Sequence, residues 1–197
     1  MIRFLNILSK MQITKDIHKI SGEGNVYLLL KPEPTLIDTG SLLESEKIIN
    51  QIKKIIDPDK IKNVLLTHLH YDHAGNTKYF KNAKIYASKD EIADFKSHSE
   101  YFFFEYPAPK DLSRVKPLPK EEILDLKIIS CPGHTRGGVS FLDEKNKLLF
   151  SGDTLFQNGI GRTDLPNSLP GKMNESVEKL AKLVSDEGYN LMPGHDY

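Results

Sequence analysis

The stretch Thr67-His68-Leu69-His70-Tyr71-Asp72-His73 follows directly on the apolar run Val64-Leu65-Leu66. Branched aliphatic residues feeding a polar cluster read as a buried strand that ends in a loop. Active sites gather on such loops, where a rigid scaffold positions them. Four side chains able to bind metal fall within six residues here, enough to begin a site for two ions side by side. The bland alternative is a histidine-rich turn on a solvated surface.

Three further segments repeat the pattern. His134 stands in Cys131-Pro132-Gly133-His134-Thr135, after the strand-like Leu126-Lys127-Ile128-Ile129. Asp153 stands in Ser151-Gly152-Asp153-Thr154, after Lys147-Leu148-Leu149-Phe150. His195 stands in Met192-Pro193-Gly194-His195-Asp196, after Leu191. Each follows an apolar segment and lies beside Gly or Pro, the residues that shape tight turns. Five of the seven histidines fall into this scheme. His18 and His98 fall outside it and read as ordinary surface or loop residues. Imidazole and carboxylate without thiolate suit zinc, iron or manganese, and the ligand types alone do not choose among them. Two divalent ions roughly 3.5–4 Å apart can generate hydroxide near neutral pH and polarise a carbonyl or stabilise a leaving group.

The rest of the chain alternates strand and helix. Ser41 followed by Glu44 has the capping-box spacing, and Ile48, Ile49, Ile52, Ile55 and Ile56 then line one helical face until Asp57-Pro58. A strand over 61–66 leads into the histidine cluster, and 74–80 reads as a short helix. A strand over 85–87, a helix over 89–96 and strands over 123–129, 139–142 and 147–151 follow. The last helix is expected over 174–187, with Val177, Leu180, Ala181 and Val184 as its apolar stripe. Periodicity by itself leaves the class at α/β or α+β.

Composition describes a compact enzyme rather than a nucleic-acid binder. The 197 residues fit one domain. Twenty-seven basic and 27 acidic residues cancel, which disfavours a nucleic-acid surface. One cysteine excludes an internal disulfide and fits a reducing, cytoplasmic setting. No stretch approaches the roughly 18 apolar residues of a membrane span. The start, residues 1–11, has a short apolar core broken by Asn6 and no small-residue cleavage site, so it is read as an N-terminal extension with Met11 as an alternative start.

These residues resemble the metallo-β-lactamase superfamily, over most of the chain. Val26-Tyr27-Leu28-Leu29-Leu30 followed by Leu36-Ile37-Asp38-Thr39-Gly40 looks like that family's opening hairpin. The family's five motifs appear in order at Asp38, His68 to His73, His134, Asp153 and His195. The resemblance implies a four-layer αββα sandwich as a single domain over 1–197. It implies one metal on His68, His70 and His134, and a second on Asp72, His73 and His195. Asp153 would bridge them, with Asp72 and Asp153 as the catalytic carboxylates. The cofactor expected is a pair of divalent ions, zinc first, with iron or manganese as alternatives. Asp38 would accept a ligand imidazole N–H and fix its tautomer; the other reading is a simple turn residue before Gly40. The β-lactamases themselves place a cysteine near the second metal, and Cys131 stands elsewhere, which disfavours that branch.

Two segments bear on substrate. Tyr101-Phe102-Phe103-Phe104-Glu105-Tyr106 packs five aromatics into six positions, ahead of Pro107, Pro109, Pro117 and Pro119. Prolines at this density argue against a helix or a central strand. Packing against the body of the fold is the first reading, a cleft wall or subunit contact the second. The second segment runs from Gln157 to Pro166, and its Gly161-Arg162-Thr163-Asp164 is similar to a segment shared by glyoxalase II enzymes and persulfide dioxygenases. Arg162 there either grips a substrate carboxylate or pairs with Asp164. The expected function is hydrolysis of a thioester or related acyl substrate by metal-bound hydroxide, like glyoxalase II. The alternatives are a mononuclear iron persulfide dioxygenase built on His68, His134 and Asp153, a lactonase, or a non-catalytic metal-binding or redox protein. The C-terminal helical domain of full-length glyoxalase II is not expected, which points to a carrier other than glutathione or to a smaller ester. The partner is a small molecule rather than nucleic acid or membrane, and the chain a monomer or homodimer.

Overall fold

The computed structural model describes residues 12–196, so the expectations for residues 1–11 lie outside the described residues. Seven strands form the first sheet in sequence order: β1 (Gln12–Thr14), β2 (Ile17–Ile20), β3 (Val26–Leu29), β4 (Thr35–Ile37), β5 (Asn63–Leu65), β6 (Lys84–Ala87) and β7 (Lys116–Pro117). The first four make an antiparallel meander, and β4 to β7 run parallel, with Leu36 opposite Val64 and Val64 opposite Ile85. The second sheet contains β8 (Glu122–Ile123), β9 (Leu126–Ser130), β10 (Val139–Asp143), β11 (Leu148–Gly152) and β14 (Asn190–Pro193), in the order β14-β11-β10-β9-β8. Between β11 and β14 come a small hairpin, β12 (Leu155–Phe156) and β13 (Gly159–Ile160), and the long helix α5 (Pro170–Ser185).

Burial shows the layers. Tyr27, Leu29, Ile37 and Leu65 of the first sheet pack face to face with Leu126, Val139, Phe141 and Phe150 of the second. Helix α1 (Ser45–Lys53) covers the outer face of the first sheet through Ile48, Ile49 and Ile52. Helix α5 (Pro170–Ser185) covers the outer face of the second through Leu180, against Leu149 and Leu191. The architecture is the expected αββα sandwich, since each sheet has two apolar faces to bury. Among the described residues no helix is long and apolar enough to cross a membrane.

Local departures have local causes. The Ser41 hydroxyl does cap, but it caps a 3-10 turn, accepting from Leu43 N, and Glu44 turns away to accept from Glu23 N and Lys47 Nζ. The capping box is therefore not closed. The 123–129 strand is two, β8 and β9, because Leu124 and Asp125 take φ +53 and +64 and turn the chain. The helix over 74–80 is instead α2 (Tyr71–Ala74) plus a 3-10 turn at Thr77–Tyr79. The last helix starts at Pro170, whose fixed φ and missing N–H suit the first turn. The aromatic segment does hold a helix, α4 (Glu100–Phe103), and the prolines lie beyond it. Finally, His18 is buried in β2, not at the surface.

Candidate metal centre

Every expected ligand follows the end of a strand. His68 to His73 follow β5 and run into α2; His134 follows β9, Asp153 follows β11 and His195 follows β14. The two sheets thus deliver their loops to one end of the sandwich. The ligand-capable atoms form three mutually close groups: His68, His70 and His134; His68, His73 and Asp153; Asp72, His73 and His195. Two glycines permit this crowding. A Cβ on Gly194 would collide with the Asp153 carboxylate, and one on Gly161 with the Asp153 carbonyl, whereas Gly159 faces open space.

Hydrogen bonds orient the imidazoles toward a common centre. His73 Nδ1 donates to Asp38 Oδ2 at 2.8 Å, leaving Nε2 inward. The Thr67 hydroxyl donates to the same Asp38 oxygen at 2.8 Å, so its lone pairs are left to accept from His68 Nδ1 at 3.0 Å. His134 Nδ1 donates to the Arg162 carbonyl at 2.8 Å. His70 turns the other way, with Nε2 at 3.1 Å from the Asn167 amide nitrogen and Nδ1 at 2.9 Å from His134 Nε2. Fixing the outer nitrogen aims the other one inward, the arrangement that metal-binding histidines use.

Two observations fit this centre to cations. The buried His68 Nε2 has no hydrogen-bond partner, although buried polar atoms almost always find one. Electrostatics point the same way. Burial alone would lower the His73 pKa, yet Asp153, Asp38 and Asp72 carry it well above the ordinary histidine value. Asp153 is held well below the usual carboxylate range, the penalty of burial being outweighed by His73 and His195. His70, with no such carboxylate partner in contact, is pushed down to about 3 by burial and His134. A cluster that draws a proton onto a fully buried imidazole is one that attracts positive charge.

Sequence reading overlooked several participants. Glu91 on α3 (Lys89–Ser97) is fully buried and accepts from Leu69 N, Thr135 Oγ1 and Gly137 N at 2.9, 2.9 and 3.1 Å. It ties the loop of His68 and His70 to the loop of His134. Burial pushes its carboxyl up to about 7 against those hydrogen bonds. Its one sequence signal, Ser88 three residues earlier, reads as a helix cap, which Ser88 indeed supplies by accepting from Glu91 N. Asn167 and Thr67 gave no separate signal.

A cleft of about 370 Å³ opens onto the centre, reaching His70, Asp72, His134, Asp153 and His195. Its rim carries Arg162, which makes the Asp164 pair: Nε and a terminal nitrogen donate to the two carboxylate oxygens at 2.7 and 2.8 Å. The aromatic segment divides its roles. Phe102 and Phe103 are core, while Phe104 is 44% exposed and lines the cleft.

Buried imidazoles and carboxylates at the loop end of an αββα sandwich define a class, the metallo-hydrolases of that architecture. The chain belongs to the metallo-beta-lactamase superfamily, whose family model matches residues 21–195. It is 32% identical to a probable metallo-hydrolase of Streptococcus pyogenes serotype M6, over 94% of this chain and 84% of that one. It is 34% identical to the hydroxyacylglutathione hydrolase GloC of Haemophilus influenzae, over 66% of this chain and 65% of that one. Among solved structures it resembles TTHA1623 in a di-iron-bound form, with a TM-score of 0.68, 27% identity and 92% of each chain covered.

Proposed function

We propose that the chain hydrolyses a thioester or related acyl ester, with chemistry of the hydroxyacylglutathione hydrolase kind. The observation that carries this reading is the placement of Asp153. Its Oδ2 lies 3.6 Å from His134 Nε2 and 3.1 Å from His195 Nε2, and its Oδ1 lies 3.2 Å from His73 Nε2. One carboxylate therefore faces both imidazole groups. His68, His70 and His134 would hold one ion, Asp72, His73 and His195 a second, with Asp153 between them. Zinc suits this nitrogen and oxygen set, and so do iron and manganese. Two such ions would lower the pKa of water and polarise an acyl carbonyl.

The protein's own groups orient and move protons. Asp38 and the Arg162 carbonyl accept from the outer nitrogens of His73 and His134, so that Nε2 of each ring is the atom that would meet an ion. Asp72 is open to the cleft, with Oδ2 3.3 Å from His195 Nε2. In this reading it would take a proton from attacking water and return it to the departing thiolate. For Arg162 to grip a substrate carboxylate, Asp164 would have to give up the guanidinium. The substrate is a small molecule, and the lone buried Cys131 suits the reducing cytoplasm.

The alternative, a mononuclear iron persulfide dioxygenase, leaves Asp72, His73 and His195 without a role although their ligand atoms converge. Elemental analysis of protein purified without added metal separates the two. The expected result is two metals per chain with turnover of acyl thioesters in the absence of oxygen. One iron per chain, retained when Asp72 and His73 are replaced by Ala, would move the assignment to the dioxygenase.

A further inference from the structure

The walls of the cleft differ in character from its floor. Phe104 closes α4 at φ +51 and ψ −117, a region that residues with a Cβ rarely adopt. The neighbouring Phe102 and Phe103 are fully buried, whereas the Phe104 ring stands over His70, its centroid 6.3 Å away and its plane within 23°. Ile160, 47% exposed on the β13 hairpin strand, lines the same cleft. Two large apolar side chains thus border the candidate centre from separate elements.

The charges of the rim point the same way. Glu23 lines the cleft and accepts from the Tyr71 hydroxyl at 2.9 Å. Among the described residues that line the cleft, Arg162 is the one arginine or lysine, and Asp164 engages its guanidinium in two hydrogen bonds. The entrance therefore offers an uncompensated carboxylate and a cation already matched. An anionic carrier meets repulsion there, and an apolar chain meets contact.

We propose that the cleft selects an apolar acyl chain, seated between Phe104 and Ile160, on an uncharged carrier. This rests on the hydrolase reading for the reaction but not for the binding. Each methylene removed from water is worth about 0.8 kcal/mol, close to fourfold in affinity. Full seating would give that factor per methylene, and partial seating about twofold.

Binding can be read without turnover. Calorimetry on the metal-loaded protein would compare S-methyl, S-butyl and S-hexyl thioethers of N-acetylcysteamine, which are neutral and cannot be hydrolysed, with S-hexylglutathione. Affinity should rise two- to fourfold per methylene, and the neutral hexyl thioether should bind tighter than its glutathione counterpart. Phe104→Ala should flatten the chain-length slope, and Phe104→Leu should keep most of it. Ile160→Ser, on the other wall, should flatten it too. Glu23→Gln should narrow the gap between neutral and anionic thioethers. Metal content and melting curves of each variant exclude misfolding. Affinity independent of chain length, equal losses for methyl and hexyl in Phe104→Ala, tighter binding of S-hexylglutathione, or no binding at all overturns the proposal. If the slope holds while no acyl thioester or ester is turned over, the hydrolase reading fails and the apolar seat stands.

Discussion

Asp38 sits at φ +60 after β4, with its carboxylate receiving Thr67 N, Thr67 Oγ1 and His73 Nδ1, each at 2.8 Å. Aspartate is among the few side chains that tolerate this left-handed backbone. One residue thereby sets the tautomer of His73 directly and of His68 through the Thr67 hydroxyl. Asp38 both turns the chain before Gly40 and contacts the His73 imidazole, so the two readings open in the sequence do not compete in this geometry. Asp38→Asn keeps the shape but points an amide N–H at one of these donors. We expect metal affinity to fall 10- to 100-fold, the usual effect of losing such an orienting partner. Chelator competition measures it, with circular dichroism to show that the sheets persist. Unchanged affinity would reduce Asp38 to its turn. The candidate ligands were legible as a group because histidines are few and most of them repeat one context. Thr67 and Asn167 were not, because nothing in a lone hydroxyl or amide announces which distant ring it will meet.

At the scale of elements, Glu91 and α3 show why some of the site stays hidden. A glutamate three residues after a serine reads as a capping partner, but tertiary packing sends its carboxylate across to Leu69, Thr135 and Gly137. The same override opens the Ser41–Glu44 box, since Glu44 meets Glu23 N instead. Strands over 139–142 and 147–151 were legible nearly to the residue, because short apolar runs flank the polar turn Asp143-Glu144-Lys145-Asn146. The turn between β8 and β9 was not, because Leu124 and Asp125 form it without glycine. Glu91 also makes a pH forecast. Its folded pKa of about 7 lies above the unfolded value of 4.5. Its stability contribution is therefore full below 4.5 and is lost as pH rises to about 7. The loss is on the order of 3 kcal/mol. Glu91→Gln removes this titration, so the variant's stability should fall less than the wild type's between those pH values. Urea unfolding at pH 5 and pH 7.5 gives both slopes; parallel slopes would mean that Glu91 stays ionised in the fold.

For the whole molecule, the candidate ligands come from both halves of the sandwich. His68, His70, Asp72 and His73 follow a strand of the first sheet, and His134, Asp153 and His195 follow strands of the second. The sheets already share an apolar interface around Phe141 and Phe150. Core burial should therefore fold the chain without metal, and bound ions should add a cross-link between the two loop sets. Anything that binds only the folded state stabilises it, by about 4 kcal/mol at a free concentration of 1,000 Kd. Chelated protein should consequently unfold cooperatively but at lower denaturant or temperature than loaded protein. The gap should also depend on pH. In the metal-free protein, hydrogen bonds to Asp153 and Asp72 outweigh burial and raise the His195 pKa to about 9. Its contribution is full below 6.5 and is lost as pH rises through about 9. Loaded protein replaces that proton with a cation and should lack the loss. Melting curves of loaded and chelated samples at pH 6.5 and 9 should show the gap widening toward pH 9. Identical curves at both pH values would mean that the two loop sets are joined by the apolar interface alone.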